Sequence, residues 1–491
     1  MTYNLKRFLL SGVMLISGGA NLIVAQSFGL EEAVDFSLDH NPRIKQYEER
    51  LVQKEYSNLE STGNFLPQIN LTGSYNHLND PLVMDLSPIR TAMINIQANN
   101  QVEFTNIYNL LQGNQALTEV QRSALLGQYT GYLESKIPSF TKTLKDQDYR
   151  SATLIGIQPI FAGGKLIAAK NYSSDEEEVA KLELEQVKEQ ITKETIQAYL
   201  NVILLKDVIK TRTEVLNGIK YHKEQAEKLF KEGIIANYHL LRADVAVADA
   251  EISLMEDRNR YDLAIISLKN TIGMDINQEI EIDDSLSFSP MTEVLDTLQN
   301  NAQINQPLLK IIELKKDAAV QKYNLERSSF LPTISAYGKY ELIPDELSAL
   351  EPKWAVGLQA SINLFNGFKD YSKVQNAEHL EEEINYLQAD IKNKIDLLVN
   401  KTYKDVLNAK EKYEKLNSNL DLAWENQRLN SKRFSTGLGT SLEVIDAHLA
   451  LQKVLMDRDR ALYDYFNSMT ELFQSTGNTK TLITIWNKKE K

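Results

Sequence analysis

The sequence predicts an α+β fold in which two copies of one segment each supply two β-strands and a hairpin of long helices. Three observations predict it: an internal repeat, two long stretches without glycine or proline, and four short stretches of alternating polarity. Internal repeats determine an architecture more strongly than any local pattern does. The 491-residue chain is therefore expected to form one pseudo-symmetric structure rather than three ordinary domains.

The repeat is visible in four pairs of motifs. Asn64-Phe65-Leu66-Pro67 recurs as Ser329-Phe330-Leu331-Pro332, a shift of 265 residues. Three further pairs are shifted by 204 residues: Ile160-Phe161-Ala162-Gly163-Gly164-Lys165 with Leu364-Phe365-Asn366-Gly367-Phe368-Lys369, Phe230-Lys231-Glu232-Gly233 with Phe434-Ser435-Thr436-Gly437, and Thr271-Ile272-Gly273 with Ser475-Thr476-Gly477. The two shifts, 265 and 204, differ by 61 residues, which is the net length of an insert in the first copy.

These motifs divide the chain into segments. Lys6 and Arg7 precede a short apolar run, which predicts a secretory signal over residues 1–25. The first repeat is expected over 26–278, with an outer-loop insert at 77–150. A linker at 279–290 contains a candidate short strand, Glu279-Ile280-Glu281-Ile282-Asp283, and the second repeat at 291–477 precedes a tail at 478–491.

Composition excludes several classes of function. The formal net charge is −13, and no basic stripe offers itself to a nucleic acid, so no nucleic-acid partner is expected. The chain has no cysteine, which excludes disulfides, thiol catalysis and a lipidated N-terminal cysteine. After the N-terminal run, no stretch approaches the ~18 uninterrupted apolar residues of a membrane-spanning helix.

Two helical hairpins are predicted, at 165–272 and 368–475. Glycine and proline are absent from Lys165 to Asn217 and from Phe368 to Thr436, which are 53 and 69 residues. Helices of that size reach roughly 80 to 100 Å. The apolar residues recur every three or four positions, as in coiled coils. Each long helix is expected to end near a glycine, Gly233 or Gly437, and to be followed by a shorter returning helix.

Two strands are predicted before each hairpin. Four stretches alternate apolar and polar residues with a period of two: about 65–76, 151–161, 330–342 and 353–365. The second is less regular, and Ile155, Ile157 and Phe161 are expected to share one face. The polar positions carry mainly Ser, Thr, Asn and Gln, and strands of about ten residues are typical of membrane barrels.

Four strands are too few to close a barrel, and an open sheet edge is excluded in lipid. The strands are therefore expected to join those of other protomers, so that two copies supply eight strands and three copies supply twelve. The insert connects two strands, which places it at the outer mouth, where barrel loops are long.

No catalytic, metal or cofactor site is predicted. The six histidines are scattered singly, and no metalloprotease pair or nucleophile elbow is present. One cluster follows the second turn: Glu443 and Asp446 lie three residues apart on one face of the first helical turn. They either compensate the helix dipole or form acidic rings that select cations around an oligomer axis. The equivalent positions of the first copy are His239 and Arg242, which are candidate partners of these acids in a bridge between neighbouring hairpins.

Together these features resemble the TolC-type outer-membrane efflux proteins. The resemblance rests on the two copies, the Phe-Leu-Pro strand entries, the Phe-x-x-Gly tips, the strand-to-helix turns and Glu443-Val444-Ile445-Asp446-Ala447, and it covers nearly everything after the signal segment. It implies a homotrimer whose twelve-stranded outer-membrane barrel continues into a periplasmic helical barrel. It also implies a periplasmic adaptor, an inner-membrane pump reached through that adaptor, no enzymatic activity and no cofactor. The residues implied to contact the adaptor are Phe230, Gly233, Gly437 and Gly439.

The resemblance also implies that Glu443 and Asp446 form the periplasmic gate. The family's usual latch joins a tyrosine and an arginine, but this chain has Phe434 and Gly439 at those positions, so that latch cannot form. We hypothesise that Arg242 pairs with Glu443 or Asp446 of a neighbouring hairpin instead. The alternatives are a periplasmic coiled-coil adaptor, which does not explain the four strands, and a surface structural or adhesion protein, which does not need two matched hairpins. The substrate is not predicted.

Overall fold

The computed structural model describes residues 26–348 and 350–488, and the predicted signal segment, 1–25, lies outside the described residues. The chain forms two compact units. The strand unit comprises Leu59–Lys170 and Lys322–Asn376. The helical unit comprises Asn171–Gln321, the chain from Ala377 onward and the chain up to Asn58.

Helices account for most of the described residues. In chain order the helices are α1 (Leu30–His40), α2 (Pro42–Gly63), α3 (Ser87–Leu111), α4 (Glu119–Lys136), α5 (Lys165–Lys231), α6 (Asn237–Ile272), α7 (Leu295–Asn305), α8 (Pro307–Arg327), α9 (Lys369–Ser435), α10 (Ser441–Ser475) and α11 (Thr481–Asn487). The strands are β1 (Gln26–Ser27), β2 (Gln68–His77), β3 (Leu82–Asp85), β4 (Thr141–Lys145), β5 (Asp148–Ala162), β6 (Ile280–Glu281), β7 (Thr333–Glu341) and β8 (Trp354–Ser361).

The strand unit contains one antiparallel sheet of four strands, in the order β2-β5-β7-β8. The four strands predicted from alternating polarity are therefore present, although β8 ends at Ser361 rather than near residue 365. The register aligns large apolar residues of all four strands on one face. They include Ile69, Leu71, Tyr75, Leu154, Tyr340, Trp354, Val356 and Leu358, and each is more than a third exposed. The opposite face is mostly polar.

A β-bulge changes the faces of β5. Ile155 and Ile157 pair with residues on the polar face of the sheet. The register shifts between Pro159 and Phe161, so that Phe161 pairs with Ile334 on the apolar face. The prediction that Ile155, Ile157 and Phe161 share one face is therefore wrong, because an extra residue in a strand reverses the alternation beyond it.

The insert in the first copy is an ordered substructure of the strand unit. β3 pairs with β4 at its base, and α3 packs against α4 above them. Two helices, α3 and α4, cover most of the insert. The base is held to the β7–β8 connection of the second copy by Lys145, whose Nζ lies 2.6 Å from Glu351 Oε2.

The helical unit contains the two predicted hairpins. α5 and α9 are each 67 residues long, which corresponds to about 100 Å. No helix among residues 26–348 and 350–488 has both the length and the apolar character needed to cross a membrane. The largest core cluster joins both hairpins through α5, α6, α9 and α10, and its fully buried aromatic residues include Tyr199, Tyr465 and Phe466.

Two further helix pairs repeat with the 265-residue shift. α1 and α2 are separated at Asn41-Pro42, and α7 and α8 are separated at Gln306-Pro307. These four helices were not predicted from the sequence. The shift of 265 residues therefore extends upstream of the Phe-Leu-Pro motifs and covers a complete helix pair in each copy.

Each helix pair abuts the end of a returning helix. Gly273 and Gly477 have φ angles of 79° and 75°. A Cβ atom on Gly273 would lie 2.7 Å from the carbonyl oxygen of His40, and one on Gly477 would lie 2.7 Å from that of Asn305. Positive φ and close backbone approach both require glycine, which explains the repeated motif at these two positions.

The linker and the C-terminal segment are also ordered. β6, in the predicted linker, pairs in parallel with β1. The segment predicted as a tail contains α11, whose Leu482, Ile483 and Trp486 are buried in the main core cluster.

Candidate functional site

The two hairpin tips have the same backbone. Leu229 O accepts a hydrogen bond from Ile234 N (2.9 Å), and Arg433 O accepts one from Leu438 N (2.9 Å). Gly233 and Gly437 have φ angles of 78° and 74°. This is the Schellman arrangement, in which a left-handed glycine ends a helix and satisfies its last carbonyl groups.

The returning helices are capped differently. The Thr440 hydroxyl accepts a hydrogen bond from Glu443 N, and the Glu443 carboxylate accepts one from Thr440 N (2.7 Å). This capping box satisfies two free N–H groups of α10. In the first hairpin Ala236 precedes α6 and offers no side-chain cap. The first turn of α10 is thus fixed by side chains, whereas that of α6 is not.

Glu443 is engaged within its own hairpin. Its pKa is held below the usual range, first by the hydrogen bond from Thr440 N and further by the nearby Arg433 guanidinium. Arg433 Nη1 lies 3.6 Å from Glu443 Oε1. Three residues farther along, Asp446 is exposed and points into a groove between α6 and α10. The two acidic residues predicted as one site therefore have different environments.

That groove also contains the basic residue predicted from the first copy. Arg242 and Asp249 of α6 line it together with Asp446, around a cavity of about 340 Å³. Within the described part of the chain, none of these three side chains has a hydrogen bond or an ion pair. His239 does not line this cavity, and its ring lies 4.0 Å from that of Tyr238.

Phe434 packs inside the protomer. It is 3% exposed and forms a small core with Ala226 and Val444. The corresponding Phe230 of the first tip is 39% exposed. Gly439 lies against the end of α9, where a Cβ atom would approach Phe434 N to 2.9 Å. Phe434 and Gly439, which occupy the positions of the family's latch, thus contribute to the packing of the second tip.

Two buried histidines connect the hairpins beside Phe434. His222 Nε2 lies 2.7 Å from the Ser441 hydroxyl, and its ring meets that of Phe434 edge-on at 4.5 Å. His448 Nε2 lies 3.2 Å from the Gln427 amide nitrogen. Gly218, within α5, makes room for His448, because a Cβ atom there would lie 2.6 Å from His448 Cε1.

Burial favours the neutral form of both histidines. Desolvation lowers the pKa of His222 to about 4 and also lowers the pKa of His448. The two rings line a cavity of about 440 Å³ at the junction of the hairpins. Among the residues that the structure describes, no group of three or more potential metal ligands occurs. Sequence reasoning missed this pair, since neither histidine belongs to a motif and His222 contacts a residue 219 positions away.

Two relatives are similar in sequence to part of this chain. The alkaline protease secretion protein AprF of Pseudomonas aeruginosa is 21% identical over 290 residues, which are 56% of this chain and 59% of that protein. Outer membrane protein TolC of Vibrio cholerae is 26% identical over 196 residues, 39% of this chain and 44% of that protein. The matches thus span less than two thirds of either relative.

A solved structure extends the comparison to nearly the whole fold. The outer membrane protein VceC of Vibrio cholerae superposes with a TM-score of 0.69 at 15% identity, covering 91% of this chain and 96% of that chain. The TolC-like fold class predicted from the sequence is thereby confirmed. The family model described as Outer membrane efflux protein matches residues 34–274 and 298–478. Since these residues make up most of the chain, the protein belongs to the outer membrane efflux protein family.

Proposed function

We propose that three copies of this chain form a passive exit duct of a tripartite efflux or type I secretion system. Three four-stranded sheets close a twelve-stranded barrel in the outer membrane, and the long hairpins form the periplasmic tube. A pump in the inner membrane drives transport through a periplasmic adaptor that contacts the hairpin tips. The duct itself performs no catalysis.

The observation that carries this proposal is the four-stranded sheet with one apolar face and two edge strands. Within the described residues, β2 and β8 each pair with a single neighbouring strand. Val356 and Leu358 of β8 are 74% and 72% exposed on the apolar face. Lipid would cover such a face, and pairing of β8 with β2 of the next copy would satisfy both edges, as a bilayer requires.

The adaptor and the pump determine which substrate is transported, because a wide duct discriminates little between substrates. A periplasmic adaptor or an adhesin, the two alternative functions, would not require a lipid-facing sheet. Co-purification after mild detergent extraction identifies the adaptor and with it the transport system. Recovery of the protein from the outer membrane as a heat-sensitive trimer would separate the proposed duct from both alternatives.

A pair of arginine substitutions in β8 tests the lipid-facing assignment. Val356→Arg places a charge on the apolar face and is expected to cost about 2–4 kcal/mol near the bilayer centre, which would strongly reduce the heat-sensitive trimer in the outer membrane. Gln359→Arg is the control, since Gln359 pairs with Ser335 on the polar face. Equal trimer yields for the two variants would contradict the proposal.

We further propose that Arg242 pairs with Asp446 of a neighbouring protomer and holds the periplasmic entrance closed. Arg242 and Asp446 have no ion pair within the described part of their own protomer, whereas Glu443 is engaged by Thr440 and Arg433. This difference favours Asp446 over Glu443 as the partner. Repeated around a threefold axis, the pairs would form a ring of charges at the constriction.

A further inference from the structure

Helix α3 of the insert is apolar on two opposite faces. One face buries Ile94, Ala98 and Val102 and packs against α4. The opposite face carries a stripe of large apolar side chains, each at least half exposed: Ile89, Met93, Ile96, Phe104, Ile107 and Leu111. Exposed apolar surfaces of this kind mark interaction sites.

The stripe has the spacing of a helix bundle. With the polar Asn100 included, its members follow one another at steps of 4, 3, 4, 4, 3 and 4 residues. Ile89, Asn100 and Leu111 thus occupy equivalent positions of an 11-residue repeat. Such a repeat keeps one face of a nearly straight helix in contact with its partners, with a slight right-handed supercoil.

The charges of α3 are directed away from this stripe. Arg90 Nη2 donates to the carbonyl oxygens of Glu134 (2.8 Å) and Ile137 (2.7 Å) at the end of α4. Glu103 pairs with Arg122 of α4. An uncharged stripe does not repel an identical copy of itself. The amide of its central Asn100 both donates and accepts, so identical side chains can bond to each other and fix the register.

We propose that α3 helices of neighbouring copies pack through this stripe, so that three inserts form one bundle. The inference rests on the proposed trimeric duct. The insert begins at the end of β2, an edge strand that would pair with the neighbouring copy. It also returns beside that point, since Gln147 O accepts a hydrogen bond from Leu78 N (2.7 Å). Each insert therefore leaves the sheet at a seam between protomers, on the same side of the barrel as the other two.

Disulfide trapping tests the bundle directly, because the natural chain contains no cysteine. Met93→Cys and Ile107→Cys lie on the stripe, and Asn99→Cys is the matched control on the same helix but off the stripe. The purified variants are oxidised at high dilution in detergent, and their mass is measured beforehand by light scattering. A disulfide requires the two Cβ atoms to approach within about 4.5 Å, so we expect roughly tenfold more covalent dimer from either stripe variant than from the control.

The outcomes separate this inference from the proposed function. A trimeric mass with abundant dimer from the stripe variants supports both. A trimeric mass in which both stripe variants form no more dimer than Asn99→Cys overturns the bundle and leaves the duct intact. A monomeric mass overturns both. Disulfide trapping in intact cells that links Met93→Cys to a different protein also overturns the bundle of identical copies.

Discussion

The two hairpin tips share one backbone but differ in how their side chains are used. Both turn through a left-handed glycine, Gly233 or Gly437, with the same hydrogen-bond pattern. The second tip buries Phe434, whereas the equivalent Phe230 of the first is partly exposed. The glycine requirement preserves the turn in both copies, and side chains around the turn remain free to diverge.

This divergence makes the second tip an anchored tip and leaves the first with fewer side-chain contacts. The second tip is held by the Thr440–Glu443 capping box and by the contact of His222 with Ser441. The first tip has no side-chain cap, and its Arg242 has no partner within the described residues. The second tip is therefore suited to hold the two hairpins together.

The largest expected effect on stability comes from substituting Phe434, compared with the equivalent Phe230. Phe434→Ala is expected to lower the free energy of local unfolding at the tips by about 3–5 kcal/mol, because it empties a buried site. Phe230→Ala should cost less than about 1 kcal/mol. Hydrogen exchange of the amides in the first turns of α10 measures the loss of local unfolding free energy in each of the two variants. An equal loss for the two variants would contradict the distinction and place Phe230 in an interface between protomers.

A smaller effect is expected at Gly218. Replacing a helical glycine by alanine ordinarily stabilises by roughly 0.5–1 kcal/mol, and Gly127→Ala in α4 should do so because its Cβ would meet no atom within 4 Å. Gly218→Ala should instead destabilise by about 1–3 kcal/mol through overpacking against His448. The double variant Gly218→Ala/His448→Ala should recover part of the loss in the same exchange measurement. Stabilisation by Gly218→Ala alone would disprove the contact.

The smallest effect is a pH dependence of the anchored tip. Burial lowers the pKa of His222 to about 4, whereas the unfolded residue titrates near 6.5. The stability contributed by neutral His222 is therefore full above pH 6.5 and declines as the pH falls from 6.5 to 4. At pH 5.5 the expected loss is about 1 kcal/mol, measured as faster hydrogen exchange in α10.

His222→Gln is the control for this pH dependence. It should reduce the slope, leaving the smaller contribution of His448, whose pKa is also lowered by burial. His239, on α6, opposes protonation of His222 further, because like charges repel. An unchanged slope in His222→Gln would assign the pH dependence to another group.

The outer-membrane location and the TolC-like fold predicted from the sequence are confirmed by the family match and the structural relatives. The glycines and the alternating polarity supported these predictions, because each pattern indicates a specific backbone conformation. Gly233 and Gly437 are needed at positive φ, and Ile69, Leu71 and Tyr75 occupy one face of a strand.

The features that were not predicted from the sequence depend on contacts between distant residues or on weak sequence patterns. α4 buries none of its residues, so its apolar pattern is weak. The histidine pair depends on Gly218, whose importance comes from a side chain on another hairpin. The roles of Glu443, Asp446 and Arg242 in gating stay predictions, since they require a second protomer.

Single-channel conductance in planar bilayers tests the proposed gated duct most directly. The wild-type trimer should insert as a pore of low conductance, and Arg242→Ala should raise that conductance by releasing Asp446 at the entrance. Arg433→Ala is the control, because Arg433 contacts Glu443 within its own hairpin, and it should leave the conductance unchanged. Insertion without any pore would contradict the duct. A pore that Arg242→Ala does not alter would contradict the proposed closure at the tips.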